Sequence, residues 1–380
     1  MAPIRIALIG LSASAATSWA SDAHLPYLLS ARGREKYEIV ALCNSSVEAA
    51  KRAIETYKLP ATTRAYGNPA DLAADPDVEL VVCSTRVDTH HETILPSVRA
   101  GKMAYVEWPL AHDVAHAEEL AKAARASGSR TLVGLQGQVS PVVIALRQLV
   151  DAGRIGKVLS SEVRTSGGTL DRQSISSKLE YWTKRRIGGN MLTIGFGHLF
   201  DQVQHVLGEI VDVHGHLHLQ RPEVPLRQHD GAEIIGKTQS DVPDLLIVTG
   251  SAASSGARVL LRTRRGQSFP GEPKLVWTIS GEKGEVRVSS EQGTSLALAD
   301  PVTIELHDFA TDKVETVDWA WEPWQRELPV PARAVAALYE QFAQGGVKSQ
   351  NQRVPSFEDA VRRHIQLNEL LEAWSTQQKV

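Results

Sequence analysis

The sequence predicts two linked domains. The first is an α/β domain with a doubly wound parallel sheet over residues 1–128, and the second is an α+β domain over residues 129–380. Over about the first 125 residues, short apolar segments alternate with helical ones, which is typical of parallel strands buried on both faces. From about residue 140, segments of alternating polarity follow one another, which predicts a mostly antiparallel, open sheet with helices on one face.

The first domain is predicted from its apolar segments. Helices are predicted over 46–57, 89–100 and 114–126, with Ser46 and Asp113 as residues that can cap the first and last of them. The five predicted strands are Ile4–Ile9, Tyr37–Cys43, Leu80–Cys83, Met103–Val106 and residues 131–135.

The second domain is predicted from period-2 patterns. Its helices are expected over 141–152, 191–207, 330–344 and 356–377, and residues 308–331, rich in charge and Trp, are expected to form a loop. We expect the C-terminal helices to be able to pack back on the first domain. The predicted strands cover residues 158–164, 210–220, 244–251, 257–262, 274–280, 285–289 and 301–306.

Composition excludes several classes of function. A net charge of −3 gives no electrostatic reason to expect direct binding of nucleic acid or of an anionic membrane. No apolar run approaches the roughly 20 residues that cross a bilayer. Cys43 and Cys83 lie in apolar segments, which favours free thiols in a reducing compartment. We therefore expect a cytoplasmic protein, or a nucleocytoplasmic one if it is a regulator.

A glycine turn follows the first predicted strand. The segment begins Gly10-Leu11-Ser12-Ala13 and keeps one glycine of the GxGxxG pattern that lets backbone approach a pyrophosphate. Small residues there still leave room for a phosphate at a helix N-terminus. An ordinary Ser/Ala turn is the alternative interpretation, and only the surrounding strand pattern favours a dinucleotide site.

The end of the second strand bears on the choice of cofactor. An NAD-specific site tends to place an acidic residue there to bind the ribose hydroxyls, whereas this chain has Asn44 and Ser45. Neither residue repels a 2′-phosphate, and Lys51 and Arg52 follow one to two helical turns later. The sequence therefore modestly favours NADP(H) over NAD(H), although a solvated helix face is the more ordinary interpretation of each basic residue taken alone.

Several segments along nearly the whole chain resemble one family. Ser84-Thr85 followed by His90, the stretch from Ala100 to Pro109, and residues 146–158, 188–201, 281–284 and 355–364 are similar to landmarks of the Gfo/Idh/MocA family of nicotinamide-dependent oxidoreductases. The resemblance implies a two-domain dehydrogenase fold. Its implied cofactor contacts are Ser84, Thr85, His90, Glu107 and Trp108. The alternatives are that Glu107 bonds backbone, that Trp108 belongs to the core, and that His90 only braces loops.

The resemblance also implies an altered acid–base set. Trp108 stands where the family has its proton-transfer Lys, and Ile194 stands where it has an Asp, whereas the family His is kept as His198. Hydride transfer belongs to the cofactor, but the accompanying proton needs a donor or acceptor. His198 is the predicted catalytic residue, with Tyr181 and Lys184 as predicted replacement donors.

A narrower resemblance, carried by Val106-Glu107-Trp108 and Phe196-Gly197-His198, is to a fungal galactose-repressor-like subgroup, whose repressor is not an enzyme and also has Trp in place of the Lys. Three functions stay open: an NAD(P)-dependent oxidoreductase acting on a small-molecule hydroxyl, carbonyl or imine; a non-catalytic NADP-binding transcriptional regulator; and a non-redox enzyme that retains nucleotide. We favour the first. A homodimer or higher homo-oligomer is expected from the broad C-terminal sheet.

A row of histidines adds one further candidate. His214, His216 and His218 alternate along a predicted strand and so share a face, which could supply two ligands to zinc. No further ligand is evident, so the sequence predicts no metal and favours a surface or interface role. Four tryptophans are candidates for interface anchors or pocket walls: Trp277, Trp319, Trp321 and Trp324.

Overall fold

Two units make up the computed structural model, which describes residues 2–12, 17, 19–167, 171–345 and 354–377. The first unit comprises Met1–Gln136, Arg186–Gly189 and Glu322–Ile365. The second comprises Gly137–Arg185, Asn190–Trp321 and Gln366–Val380. Each unit is therefore assembled from segments that are distant in sequence.

Seventeen strands in the described part of the chain form three sheets. They are β1 (Ile4–Ile9), β2 (Tyr37–Cys43), β3 (Arg64–Tyr66), β4 (Leu80–Cys83), β5 (Met103–Val106), β6 (Thr131–Val133), β7 (Val158–Ser166), β8 (Ile175–Ser176), β9 (Ile210–His218), β10 (Glu223–Arg227), β11 (Ile234–Gln239), β12 (Leu245–Ala252), β13 (Arg258–Arg264), β14 (Leu275–Gly281), β15 (Gly284–Ser290), β16 (Thr303–Asp308) and β17 (Lys313–Thr316).

Helices connect these strands. They are α1 (Leu25–Leu29), α2 (Ala31–Arg34), α3 (Val47–Thr56), α4 (Pro69–Ala74), α5 (His90–Arg99), α6 (Val114–Ser127), α7 (Pro141–Asp151), α8 (Gly197–Leu207), α9 (Pro323–Arg326), α10 (Val330–Ala343) and α11 (Phe357–Gln377). π-helical turns cover Ala20–His24 and Met191–Phe196. As predicted, Ser46 and Asp113 cap α3 and α6, each accepting a backbone N–H three residues on.

The first unit contains a six-stranded sheet in the order β3-β2-β1-β4-β5-β6, with every pair parallel. All four residues of β4 are buried, which agrees with a strand covered on both faces. This strand order is that of a Rossmann sheet, in which the chain reverses direction of winding between β1 and β4. The predicted doubly wound parallel sheet is confirmed.

An aromatic cluster completes the core of the first unit. Tyr339 of α10 lies 5.1 Å from Tyr37, 5.2 Å from Tyr105 and 5.6 Å from Tyr27, measured between ring centroids. The Tyr37 hydroxyl donates to the Tyr339 carbonyl over 2.7 Å. Helix α10 therefore contributes Tyr339 to the core that contains the three earlier tyrosines.

The second unit contains an eight-stranded sheet in the order β17-β16-β15-β14-β7-β13-β12-β9. Only β7 and β13 pair in parallel, so the predicted mostly antiparallel sheet is confirmed. Trp277 is fully buried and donates to the Ser161 hydroxyl over 2.8 Å. It therefore lies in the core, which contradicts the expectation that it could anchor an interface.

The sequence prediction was wrong in two regions of the second half. The predicted loop over 308–331 contains β17 and α9, and a small three-stranded sheet, β11-β10-β8, was not predicted. All of β17 and most of β11 are exposed. Such strands lack the buried face whose alternation reveals a strand, so pairing with a neighbour holds them rather than apolar patterning.

Cys43 and Cys83 are both free and buried, as expected from their apolar segments. None of the helices in the described ranges is long and apolar enough to span a membrane. His214, His216 and His218 are exposed along β9, an edge strand, and share one face as predicted.

Candidate cofactor and active site

The candidate cofactor site lies at the carboxyl ends of β1 and β4. Backbone Ser84 N–H donates to the Ile9 carbonyl over 3.0 Å, so the two loops leave the sheet side by side. In open α/β sheets, ligands bind in the crevice outside such a switch point. The topology therefore puts the turn after β1 and the loop after β4 where a dinucleotide binds.

Gly10 is required at this turn for two reasons. Its φ of +96° lies in the region that favours glycine, and a Cβ there would come within 2.4 Å of the Ser84 carbonyl oxygen. Leu11 is fully buried and Ser12 is half-buried. Ala13, the fourth predicted contact of this turn, lies outside the described residues.

Asn44 braces the same turn from the end of β2. Its Nδ2 donates to the Leu11 carbonyl over 2.9 Å and to the Ala49 carbonyl over 3.3 Å. Its Oδ1 is buried and has no hydrogen-bond partner among the described residues. Ser45 is exposed. Asn44 thus shapes the turn, and Ser45 is the more accessible of the two predicted cofactor contacts.

His90 joins the loops after β4 and β5. It is buried, with Nε2 3.0 Å from the Thr85 carbonyl oxygen and Nδ1 2.9 Å from the Pro109 carbonyl oxygen. Burial lowers its pKa. A neutral imidazole carries one N–H and can donate to only one of these carbonyls at a time. The contacts found for this predicted cofactor residue are those of a brace between two loops.

Glu107 lies in a buried polar network at the end of β5. Its Oε1 is 3.0 Å from His24 Nε2, and His24 Nδ1 is 2.8 Å from the Tyr339 hydroxyl. The Glu107 carboxylate occupies the space beside Gly134, where a Cβ would come within 2.5 Å of Oε2. Burial, and next the Glu107 charge, raise the pKa of Tyr105 well above its usual value.

Trp108 is 4% exposed and precedes a cis peptide bond to Pro109. Its ring centroid lies 4.9 Å from that of His364, a buried residue of α11. Burial lowers the pKa of His364 to about 4, which keeps its ring neutral at physiological pH. An indole has no titratable proton in this range, so Trp108 cannot take over proton transfer from the family Lys.

In the second unit, His198 is the second residue of α8. The preceding π-helical turn is capped by Asn190, whose Oδ1 accepts from the backbone N–H groups of Leu192 and Thr193 over 3.0 and 3.2 Å. Ile194 and His198 are four residues apart and both half-buried. π-helical turns are frequent at functional sites. The helical spacing of the family pair is thus kept, with an apolar side chain in place of the acid.

The two predicted replacement donors differ in their surroundings. Tyr181 is half-buried in a 3₁₀ helix over Ser177–Thr183. Lys184 Nζ donates to the Thr238 hydroxyl over 3.0 Å and to the Gln239 carbonyl over 2.5 Å. These bonds tie the Lys184 ammonium to β11, which favours a structural contribution from it.

Sequence reasoning missed the partners that hold these residues. Tyr339 and His364 contact His24 and Trp108 across more than two hundred residues of sequence, and no local pattern points to them. Gly134, which lies inside the strand predicted over 131–135, was the one local signal, because a glycine within a strand often marks a close approach of another group.

A Rossmann sheet with a glycine turn at its switch point, joined to a unit built on an antiparallel sheet, defines a two-domain dinucleotide-binding protein of the oxidoreductase type. Residues 4–135 match the model of the oxidoreductase family with an NAD-binding Rossmann fold, Gfo/Idh/MocA. Residues 141–290 match the model of the Gal80p C-terminal domain.

Similar proteins include both an enzyme and a regulator. The chain is 30% identical over 370 residues to Dehydrogenase aclE of Aspergillus oryzae, covering 97% of this chain and 95% of that one. It is 27% identical over 300 residues to the galactose/lactose metabolism regulatory protein GAL80 of Saccharomyces cerevisiae, covering 77% and 68%. The chain belongs to the Gfo/Idh/MocA oxidoreductase family.

Solved structures agree on the fold. A super-repressor mutant of Gal80p from Saccharomyces cerevisiae superposes with a TM-score of 0.87 at 22% identity, over 99% of this chain and 97% of that one. A levoglucosan dehydrogenase in complex with NADH and levoglucosan superposes with a TM-score of 0.75 at 18% identity, over 98% of each chain. At these identities the likeness concerns the fold alone.

Proposed function

We propose that this protein is an NAD(P)-dependent oxidoreductase that acts on a hydroxyl, carbonyl or imine group of a small molecule. The observation that carries the proposal is the match to Dehydrogenase aclE along nearly the full length of both chains. The turn at Gly10 supports it, because this turn needs a glycine to pass the Ser84 carbonyl at the site of pyrophosphate binding.

We further propose that NADP(H) is favoured over NAD(H). No carboxylate stands at the end of β2, and the first acid, Glu48, lies within α3. Its own backbone N–H and the Ser46 hydroxyl lower the pKa of this exposed residue. Exposed Ser45, Lys51 and Arg52 are available to a 2′-phosphate. Asn44 would hold the turn against which the cofactor packs.

Proton transfer in this proposal falls to His198. When bound, a nicotinamide supplies or accepts the hydride. With the cofactor bound, His198 would give a proton to the substrate oxygen or nitrogen in the direction of reduction and would accept that proton in the direction of oxidation. General acid–base help of this kind contributes roughly 10²–10⁴-fold to the rate. Tyr181 is the proposed second donor.

A non-catalytic NADP-binding regulator is the second candidate. The replacements at Trp108 and Ile194 favour it, together with the matches to GAL80 and to the Gal80p C-terminal domain. A regulator of this kind would bind nucleotide, turn over no substrate, and bind a partner protein. Self-association of either candidate stays a prediction.

One experiment separates these candidates. NADPH and NADH are titrated into the full chain while nicotinamide fluorescence is followed, and the nucleotide that binds is then tested with a panel of carbonyl and imine substrates. If the protein is an oxidoreductase, NADPH should bind more tightly than NADH and should be oxidised by at least one substrate of the panel. In that case His198→Gln should also lower kcat about 10²–10⁴-fold without changing nucleotide affinity.

His218→Gln is the matched control, because His218 is exposed on β9. It should leave both turnover and binding at the wild-type level. Binding without turnover would move the regulator ahead, and turnover unaffected by His198→Gln would remove the role proposed for His198. Failure to bind either nucleotide would contradict both candidates.

A further inference from the structure

Three potential metal ligands lie together directly after the loop that carries Trp108. His112, Asp113 and His116 each offer one ligand atom, and these atoms lie within 4.8 Å of one another. His112 and Asp113 end the loop after the cis bond to Pro109, and His116 lies in the first turn of α6. Loop and helix thus contribute to one cluster.

The distances within the cluster suit a small cation. His112 Nε2 lies 3.2 Å from Asp113 Oδ2, and His116 Nδ1 lies 2.7 Å from Asp113 Oδ1. Zinc binds imidazole nitrogen and carboxylate oxygen at about 2.0–2.2 Å, so two ligands of a tetrahedral site are roughly 3.4 Å apart. One ion can therefore reach all three residues with small side-chain rotations.

The surrounding structure holds these side chains in place. Asp113 caps α6 by accepting the His116 backbone N–H over 2.9 Å. A Cβ on Gly188 would come within 2.4 Å of the His112 Cα, so the backbone packs tightly there. The His91 ring lies 4.5 Å from His116 and nearly perpendicular to it, while its Nε2 is 2.9 Å from Glu119 Oε2.

The cluster is open to solvent, and its ion pairs engage His112 through Nε2 and His116 through Nδ1. The side chains of the three ligands are 27%, 45% and 37% exposed, for His112, Asp113 and His116, so an ion in solution can reach the cluster. Three protein ligands leave a fourth tetrahedral position for water, as in sites that are not purely structural.

We propose that His112, Asp113 and His116 form a binding site for one divalent transition-metal ion of the Zn²⁺ and Co²⁺ class. Two imidazoles and one carboxylate suit these borderline ions, whereas Mg²⁺ and Ca²⁺ prefer oxygen ligands throughout. The sequence prediction named no metal site and considered only the histidines of β9. An ion here would link the Trp108 loop to the start of α6.

The test uses the full chain, stripped with a chelator and dialysed. Calorimetric titration with ZnCl₂ should show one ion per chain, and CoCl₂ should give the visible absorption of four-coordinate Co²⁺. His112→Asn and His116→Asn should each weaken Zn²⁺ binding by at least the 10- to 100-fold typical of losing even an outer-shell partner. Asn at either position keeps the backbone and Asp113 intact.

The control is His216→Asn, which removes the central histidine of the exposed row on β9 and should leave the affinity unchanged. Circular dichroism of each variant separates loss of binding from loss of folding. The proposal is overturned if the wild-type chain binds no stoichiometric Zn²⁺, or if folded His112→Asn and His116→Asn bind as tightly as wild type. It is also overturned if His216→Asn abolishes the binding. None of these readouts depends on the nucleotide or on turnover.

Discussion

Replacing His24 by Ala tests the buried network behind the candidate cofactor site. His24 has no solvent exposure, and its two ring nitrogens face the Tyr339 hydroxyl at 2.8 Å and Glu107 Oε1 at 3.0 Å. The substitution removes the imidazole that lies beside both the Tyr339 hydroxyl and the Glu107 carboxylate. It leaves a carboxylate that is 7% exposed, together with a phenol that is fully buried.

The expected magnitude follows from these contacts. A buried group that loses its hydrogen-bond partner costs about 1–3 kcal/mol, and the Tyr339 hydroxyl loses the His24 ring nitrogen. We therefore expect His24→Ala to lower the free energy of unfolding by about 1–3 kcal/mol. Glu107→Gln removes the charge left behind, so adding it to His24→Ala should cost less than the sum of the two single changes.

Urea unfolding of the nucleotide-free chain measures these values. The control is His307→Ala, because His307 Nε2 lies 2.9 Å from Asp312 Oδ1, nearly the distance of the His24–Glu107 contact, but on the surface. An exposed pair contributes about 0–1 kcal/mol. Equal losses from the two variants, or a loss below about 1 kcal/mol for His24→Ala, would refute the argument that burial makes this contact matter.

Three further outcomes are expected. Gly10→Ala should weaken nucleotide binding in a fluorescence titration, because its Cβ would meet the Ser84 carbonyl at 2.4 Å; Gly128→Ala, with a similar positive φ but nothing within 4 Å, should not. Burial lowers the pKa of His364 to about 4 from an unfolded value near 6.5, so its share of stability is complete above about pH 6.5 and is lost toward pH 4. His364→Gln should therefore make the unfolding midpoint less dependent on pH between about pH 4 and 6.5. The same pH dependence in the variant and the wild type would contradict this. Burial raises the pKa of Cys43 to about 11 and also raises that of Cys83, so both thiols should react with a disulfide reagent at neutral pH only after unfolding, as absorbance can follow.

The strands and helices could be predicted from the sequence wherever burial requires a regular pattern of apolar residues. The runs at Ile4–Ile9 and Leu80–Cys83 are apolar because helices cover both faces of the sheet, and the strands were predicted at their observed bounds. Where a strand is held by edge pairing alone, as β17 is, its charged sequence resembles a loop. The difference is physical, since hydrogen bonds between backbones leave no trace in side-chain type.

The candidate site was predictable as a set of positions and less so as a set of roles. Gly10 was identified from a turn next to a strand. Its positive φ and its close approach to Ser84 explain why a glycine stands at this position. Glu107 lies beside His24, which in turn contacts the Tyr339 hydroxyl, and the Trp108 ring lies beside His364. No local spacing in the sequence reveals these partners. His112 and His116, by contrast, are only four residues apart, on either side of the N-cap residue Asp113, and this proximity is visible in the sequence.

The discontinuity of the first unit has a consequence for synthesis of the chain. The tyrosines near positions 27, 37 and 105 emerge from the ribosome early, whereas Tyr339, which packs among them, is made more than two hundred residues later. The sheet therefore stays without the part of its core that contains Tyr339 until that residue has been synthesised. A fragment ending at Gln136 would lack that part of the core and would be prone to aggregate, so truncation at the apparent domain boundary yields an incomplete core.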